Sequence, residues 1–198
     1  MSKAESPLDQ PAIRAELARR RDFWVFGYGS LMWDPGFRHA EVHPALLYGY
    51  HRRFCVYSFR YRGTPDCPGL VLGLDHGGAC RGMAYRVARR DAEQALHYLW
   101  ERELRGGGYH MKTVRPRLPG GRTVAAYTFV VDHAHKDYAG ELSLRQTARY
   151  IVQGVGNRGP CSHYLHNTVE HLEELGLVDG PLHRLAEMVR RMALAETR

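Results

Sequence analysis

Phe23-Trp24-Val25-Phe26-Gly27-Tyr28-Gly29-Ser30-Leu31 is the stretch that decides the fold of this chain. Four large apolar residues, rich in strand formers, stop abruptly at Gly-Tyr-Gly-Ser. The pattern reads as a buried strand that runs into a tight, exposed backbone turn. Glycines there open main-chain conformations closed to other residues and let a ligand come close to backbone N–H groups. A turn of this kind suits a carboxylate or a developing oxyanion. Most strand-to-turn junctions bind nothing, so glycine spacing alone does not make this one a site.

Working outward, Pro11–Arg21 reads as a short helix with proline in its first turn, preceded by a loose tail over 1–9. After the Gly29–Gly36 loop come short strand-like segments at 45–50, 53–59, 69–74 and 80–87. Turns at Arg62-Gly63-Thr64-Pro65 and His76-Gly77-Gly78 separate them. Such spacing predicts a small curved or barrel-like sheet. A helix over Arg90–Leu104 ends at the glycines 106–108, and strands follow at 110–116 and 122–131. The last third is helical. Ser143-Leu144-Arg145-Gln146 has the capping-box spacing, a second helix spans His163–Leu175, and a third starts at Pro181. The fold class is α+β, a mixed sheet with surrounding helices. Residues 1–21 form a tail and short helix, and 22–195 a single domain.

The 198 residues carry a net charge of +7, with 44% hydrophobic and 25% charged residues. That is enough chain to bury a core without disulfide or metal staples. Apolar runs fall short of the ~20 residues needed to span a bilayer, and the N-terminus lacks a signal-peptide core. The expected location is cytoplasmic, with no membrane partner. Excess positive charge favours anionic partners. The only basic run is Arg19-Arg20-Arg21, and no nucleic-acid-binding motif accompanies it, so a small anionic substrate is expected rather than nucleic acid. Cys55, Cys67, Cys80 and Cys161 show no CxxC pairing and read as free, buried thiols. His133 with His135, and His163 with His166, lack the third ligand that zinc requires, so no metal is expected. Ser30 lacks the Gly-x-Ser-x-Gly frame of a hydrolase nucleophile and reads as a binding residue.

The strongest chemical signal lies in the helix before the glycines. Ala92, Leu96 and Leu99 define its buried stripe, and four residues further on stands Glu103, while Glu101 points almost oppositely. A carboxylate in a buried phase is rare unless paired or working. Burial and the negative end of the helix dipole both raise its pKa toward the range of a general base. The competing meanings are a structural ion pair with Arg53 or Arg62, or a helix that ends early and leaves Glu103 in solvent. Pattern alone leaves function and these alternatives even.

Taken together, the motifs resemble the γ-glutamylcyclotransferase superfamily and its ChaC branch. Phe26-Gly27-Tyr28-Gly29-Ser30-Leu31-Met32-Trp33 looks like the substrate-binding loop. Arg102-Glu103-Leu104-Arg105-Gly106-Gly107-Gly108-Tyr109 matches the catalytic-glutamate segment. His51-Arg52-Arg53-Phe54, Gly82-Met83-Ala84-Tyr85 and Gly159-Pro160 with Tyr164-Leu165 follow the family order. The likeness runs from about Trp24 to Met192.

This resemblance implies a glutathione-specific γ-glutamylcyclotransferase without metal or organic cofactor. The α-amino group of glutathione attacks its own γ-carbonyl, which closes 5-oxoproline and releases cysteinylglycine. Glu103 is the implied general acid/base. Tyr28, Gly29, Ser30 and Leu31 hold the γ-glutamyl group, and Tyr109 and Tyr164 are further hydrogen-bonding candidates. Arg53 or Arg62 is a candidate for the glycine carboxylate, against a plain ion pair. Rival readings are a cyclotransferase for other γ-glutamyl amino acids or amines, and a non-catalytic module linked to cation-transport regulation. Oligomeric state is left open.

Overall fold

The structure, a computed structural model, describes residues 11–196. The expected tail over 1–9 lies outside them. The elements in chain order are α1 (Pro11–Ala18), β1 (Phe23–Gly27), β2 (Glu41–Ser58), β3 (Gly69–Val87), α2 (Ala92–Leu99), β4 (Tyr109–Val114), β5 (Ala126–Val131), α3 (Leu144–Gln153), β6 (Val155–Gly156), β7 (Gly159–Pro160), α4 (Cys161–Glu174) and α5 (Gly180–Glu196). Short turns of 3₁₀-helix interrupt them, and one π-helical turn, Trp100–Leu104, follows α2 directly.

The main sheet has the order β2-β3-β1-β5-β4. The opening stretch forms β1, its central strand. β1 runs antiparallel to β3, with Val25 opposite Tyr85 and Gly27 opposite Met83, and parallel to β5, with Trp24 opposite Ala126. A mixed sheet with helices is the α+β class expected from the sequence. β1 is apolar almost throughout because a central strand is covered on both faces; Val25 and Phe26 have no exposed surface.

The chain builds two compact units. The first takes the chain up to His51 together with His76–Asp132; the second takes Arg52–Asp75 together with the chain from His133 onward. β2 and β3 contribute residues to both.

The core of the first unit gathers Ile13 of α1, Phe23 and Val25 of β1, Leu31 and Phe37 of the following loop, Tyr85 and Val87 of β3, the apolar stripe of α2, Trp100 and Phe129. In the second unit α3, α4 and α5 pack pairwise. Ile151, Leu165, Leu172 and Leu182 are buried there at 2% exposure or less. Arg52 reaches Asp179, the residue before α5, at 3.1 Å.

The four expected short strands over 45–87 are two long ones. The His76-Gly77-Gly78 break lies inside β3, where Gly77 and Gly78 adopt φ of +98° and +68°. Glycine at such angles bends a strand without ending it, and the Gly77 carbonyl lies 3.1 Å from Nδ1 of His51. The helix of residues 143–153 starts as its sequence foretells. Ser143 Oγ accepts from the Gln146 N–H at 3.3 Å, and the Gln146 side-chain oxygen accepts from the Ser143 N–H at 2.9 Å. Ser143→Ala removes one half of this reciprocal cap and is expected to cost about 1 kcal/mol. Thermal melting is expected to fall by about 2–4 °C for a chain of this size. An unchanged melting temperature would show that the cap contributes nothing.

Candidate active site

β1 delivers the chain into a 3₁₀ turn over Ser30–Met32, in which the Met32 N–H donates to the Gly29 carbonyl at 2.8 Å. The Asp34 N–H closes back on the Ser30 carbonyl at 2.9 Å. From β3, the buried Tyr85 hydroxyl donates to the Met32 carbonyl at 2.7 Å, and from β5 the Thr128 hydroxyl donates to the Phe26 carbonyl at 2.9 Å. Both ends of the turn are therefore tied to neighbouring strands.

The glycines serve the turn differently from the sequence expectation. Gly29 has φ of −131°, outside the left-handed region. Gly27 is needed for room: a Cβ there would lie 3.0 Å from the Leu31 Cβ. At Gly82, opposite the turn's entry, a Cβ would lie 2.3 Å from the Gly27 carbonyl oxygen. Close approach, rather than backbone freedom, fixes these positions.

The carboxylate comes from the end of α2. Ala92, Ala95, Leu96 and Leu99 form the buried stripe. The α-helix stops at Leu99, short of the expected Leu104, and becomes a π-turn whose Arg105 N–H donates to the Trp100 carbonyl at 2.9 Å. The α-helical wheel drawn through Glu103 therefore does not apply, because one wider turn intervenes. Glu103 is nonetheless largely buried, with 16% of its side-chain surface exposed. Glu101 is more open and forms an i,i+4 pair with Arg105 at 2.7 Å. π-turns inside helices are frequent at functional sites.

Arg102 links turn and carboxylate. Its Nε lies 3.3 Å from Glu103 Oε1. One terminal nitrogen donates to Ser30 Oγ at 2.7 Å, and the other to the Asp34 carbonyl at 2.8 Å and to the Tyr98 hydroxyl. Burial raises the Glu103 pKa above the ordinary carboxylate range, and the Arg102 charge opposes that rise without cancelling it. The alternative partners are engaged elsewhere. Arg53 pairs with the buried Asp75 at 3.0 Å, and Arg62 donates to the Arg158 carbonyl at 2.6 Å.

Tyr109 opens β4, half-buried against the core that holds α2. Tyr28, Gly29, Ser30, Leu31, Glu103 and Tyr109 thus share the first unit. Tyr164 belongs to the second, on α4, edge-on to Phe54 with the Arg62 guanidinium 5.1 Å above its ring. Sequence reading gave Arg102 no role of its own; the serine-bearing turn and a neighbouring arginine were both visible, but their contact spans 72 residues.

Cys55, Cys80 and Cys161 are buried, whereas Cys67 is half-exposed, against the expectation of four buried thiols. Cys67 sits in the Thr64–Cys67 turn, where its thiol donates to the Gln153 carbonyl at 3.4 Å. Burial pushes the Cys55 and Cys161 thiols up to about 11, far from a nucleophile's range. Among the described residues, no group of three His, Cys, Asp or Glu side chains is arranged to hold a metal ion, and no helix is long and apolar enough to cross a membrane.

Residues 23–192 match the family model described as ChaC-like protein. The chain is 37% identical over 188 residues to the glutathione-specific γ-glutamylcyclotransferase of Escherichia coli K12, covering 93% of this chain and 81% of that one. It is 38% identical over 186 residues to the Schizosaccharomyces pombe protein of the same name, covering 84% and 91%. A crystal structure of a yeast γ-glutamylcyclotransferase specific to glutathione superposes with a TM-score of 0.78 at 23% identity, over 87% of this chain and 99% of that one, which shows a shared fold. The family match over residues 23–192 and identities of 37% and 38% to two named relatives agree: this protein belongs to the ChaC-like family of glutathione-specific γ-glutamylcyclotransferases.

Proposed function

We propose that this chain cleaves glutathione to 5-oxoproline and cysteinylglycine, with Glu103 moving the proton. The observation that carries the reading is a largely buried carboxylate, its pKa raised, joined through Arg102 to a glycine turn. The relatives named for this activity supply the substrate.

The reaction asks little of the protein beyond placement and one proton carrier. Nucleophile and electrophile are in one molecule, and holding the γ-glutamyl group folded on itself supplies effective molarities of ~10⁵ M or more in well-oriented cases. The first residues of a helical turn have N–H groups without helical partners. In this reading those of the Gly29–Leu31 segment orient the α-carboxylate and γ-carbonyl. Glu103, ionised, takes a proton from the attacking ammonium. The amine nitrogen then bonds to the γ-carbon, and Glu103 gives its proton to the cysteine nitrogen as the bond from that nitrogen to the γ-carbon breaks. The second proton on the ring nitrogen passes by the same carboxylate to the released amine, which departs as an ammonium and leaves a neutral lactam. No water is consumed, and the carboxylate ends as it began. A raised pKa suits both halves of this shuttle, because the acid form must give the proton up as readily as the base took it. In this reading Tyr109, at the start of β4, is a further hydrogen-bond donor to substrate.

Incubation with glutathione and with a series of γ-glutamyl amino acids and amines, with 5-oxoproline measured by chromatography, tests the reading. Glutathione is expected to be turned over fastest. Faster release from another donor would move the substrate assignment, and absence of product from every donor would leave the non-catalytic module.

A further inference from the structure

We propose that Arg102 is a positioning residue that holds the Ser30 turn and the Glu103 carboxylate in one fixed geometry. The inference rests on the reading of Glu103 as the proton carrier and extends it to a residue that touches no reacting atom.

The guanidinium is occupied on every side. It ion-pairs with Glu103 at 3.3 Å and donates to Ser30 Oγ at 2.7 Å and to the Asp34 carbonyl at 2.8 Å. The Tyr98 hydroxyl, one helical turn earlier on α2, accepts a further bond, and the Tyr98 ring lies beneath the cation at 5.7 Å. Tyr98 in turn limits the loop's exit, where a Cβ at Gly36 would fall 2.0 Å from its hydroxyl oxygen. One planar fork with five donors thus reads both ends of the loop and the π-turn together. Only 21% of its side-chain surface is exposed, so these contacts are partly shielded from water.

A neighbouring cation ordinarily pulls a carboxylate's pKa down. Here the guanidinium is shared among Ser30, Asp34, Tyr98 and Glu103, so Glu103 gains orientation without becoming a fully compensated ion pair. Within the π-turn the side chains of the adjacent Arg102 and Glu103 meet, Nε to Oε1, at 3.3 Å. β4 also packs on the π-turn. Its titratable groups are Tyr109, the exposed His110, which faces Asp132 at 3.1 Å, and the exposed Lys112.

Two variants separate geometry from charge. Arg102→Met is expected to lower kcat for 5-oxoproline release by about 10²-fold, the cost of a misplaced catalytic group, with a much smaller change in KM. Arg102→Lys keeps the charge but cannot make the fork, and is expected to recover less than a tenth of the loss. Amide hydrogen exchange at Asp34, whose N–H closes the turn, is expected to quicken in both variants while α3 and α4 amides stay protected. This readout does not depend on catalysis. If the wild type releases no 5-oxoproline but Asp34 exchange quickens in the variants, the proposed function fails while the clamp stands. Full recovery of kcat by lysine would overturn the proposal in favour of simple charge, as would wild-type exchange and kcat in Arg102→Met.

Discussion

On the proposed mechanism, replacing Glu103 by glutamine is expected to leave a folded protein that releases 5-oxoproline from glutathione about 10³-fold more slowly than the wild type, within the range that general acid–base catalysis supplies. That is about 4 kcal/mol of transition-state stabilisation. The amide has nearly the carboxyl's shape, so positioning survives and proton transfer alone is removed. A second signature accompanies the loss. Burial raises the Glu103 pKa in the folded protein, so the folded state holds its proton at pH values where the unfolded chain has released it. Stability attributable to this group therefore declines as pH rises from the unfolded value through the folded one, and is lowest above both. Glutamine escapes that decline. Glu103→Gln is expected to melt above wild type at pH 7–8, with the difference closing as pH approaches 4. Wild-type activity is expected to fall on acidification along a limb above the usual carboxylate range. Equal activity in the two proteins would move attention to Glu101, and a variant less stable at every pH would mean that the ion pair with Arg102 outweighs burial.

Gly69→Ala is expected to cost roughly 3 kcal/mol or more, through overpacking that no side chain is free to relieve. A Cβ there would lie 2.1 Å from the Arg62 carbonyl oxygen and 2.8 Å from its carbon. Three backbone segments meet at this point: a Cβ at Gly63 would lie 2.1 Å from the Gly69 nitrogen, and one at Gly154 would lie 2.5 Å from both the Arg62 oxygen and the Gly69 Cα. Gly154 in turn accepts from the Cys161 N–H at 2.8 Å, so a displaced backbone carries α4 with it. Urea or thermal unfolding against wild type measures the loss, with Gly106→Ala as control, since nothing lies within 4 Å of a Cβ there. A Gly69→Ala protein as stable as the control would show that these segments separate easily.

What the sequence disclosed followed the range of the interactions. β1 was legible because a run of buried apolar residues ending in glycines needs no knowledge of the rest of the chain. The Ser143 cap was legible because its two partners are three residues apart. β2 and β3 were misread as four pieces, since a glycine that bends a strand and one that ends it look alike until cross-strand bonds are known. Glu103 was singled out by counting along an ideal α-helix, and the helix is not ideal: the π-turn depends on one bond from Arg105 to Trp100 that no periodicity announces. The resemblance to a family selected the same glutamate on other grounds. Arg102 stayed unread because its significance lies in contacts with Ser30 and Asp34, far off in sequence.

The order in which the chain visits its two units has a consequence for dissecting the protein. It enters the second unit at Arg52, leaves after Asp75, and returns at His133. Neither unit is encoded by an unbroken stretch. A gene cut after codon 132 yields a fragment that still carries 52–75, now stripped of the helices α3, α4 and α5 that complete that unit, while the remaining 66 codons encode helices without their strands. Neither half can be borrowed or shed by simple recombination at one breakpoint. Excising 52–75 also removes the Asp75 that pairs with His133. Only split designs that supply both fragments together preserve the pieces of either unit, which makes this family a poor source of portable modules and a natural candidate for fragment complementation.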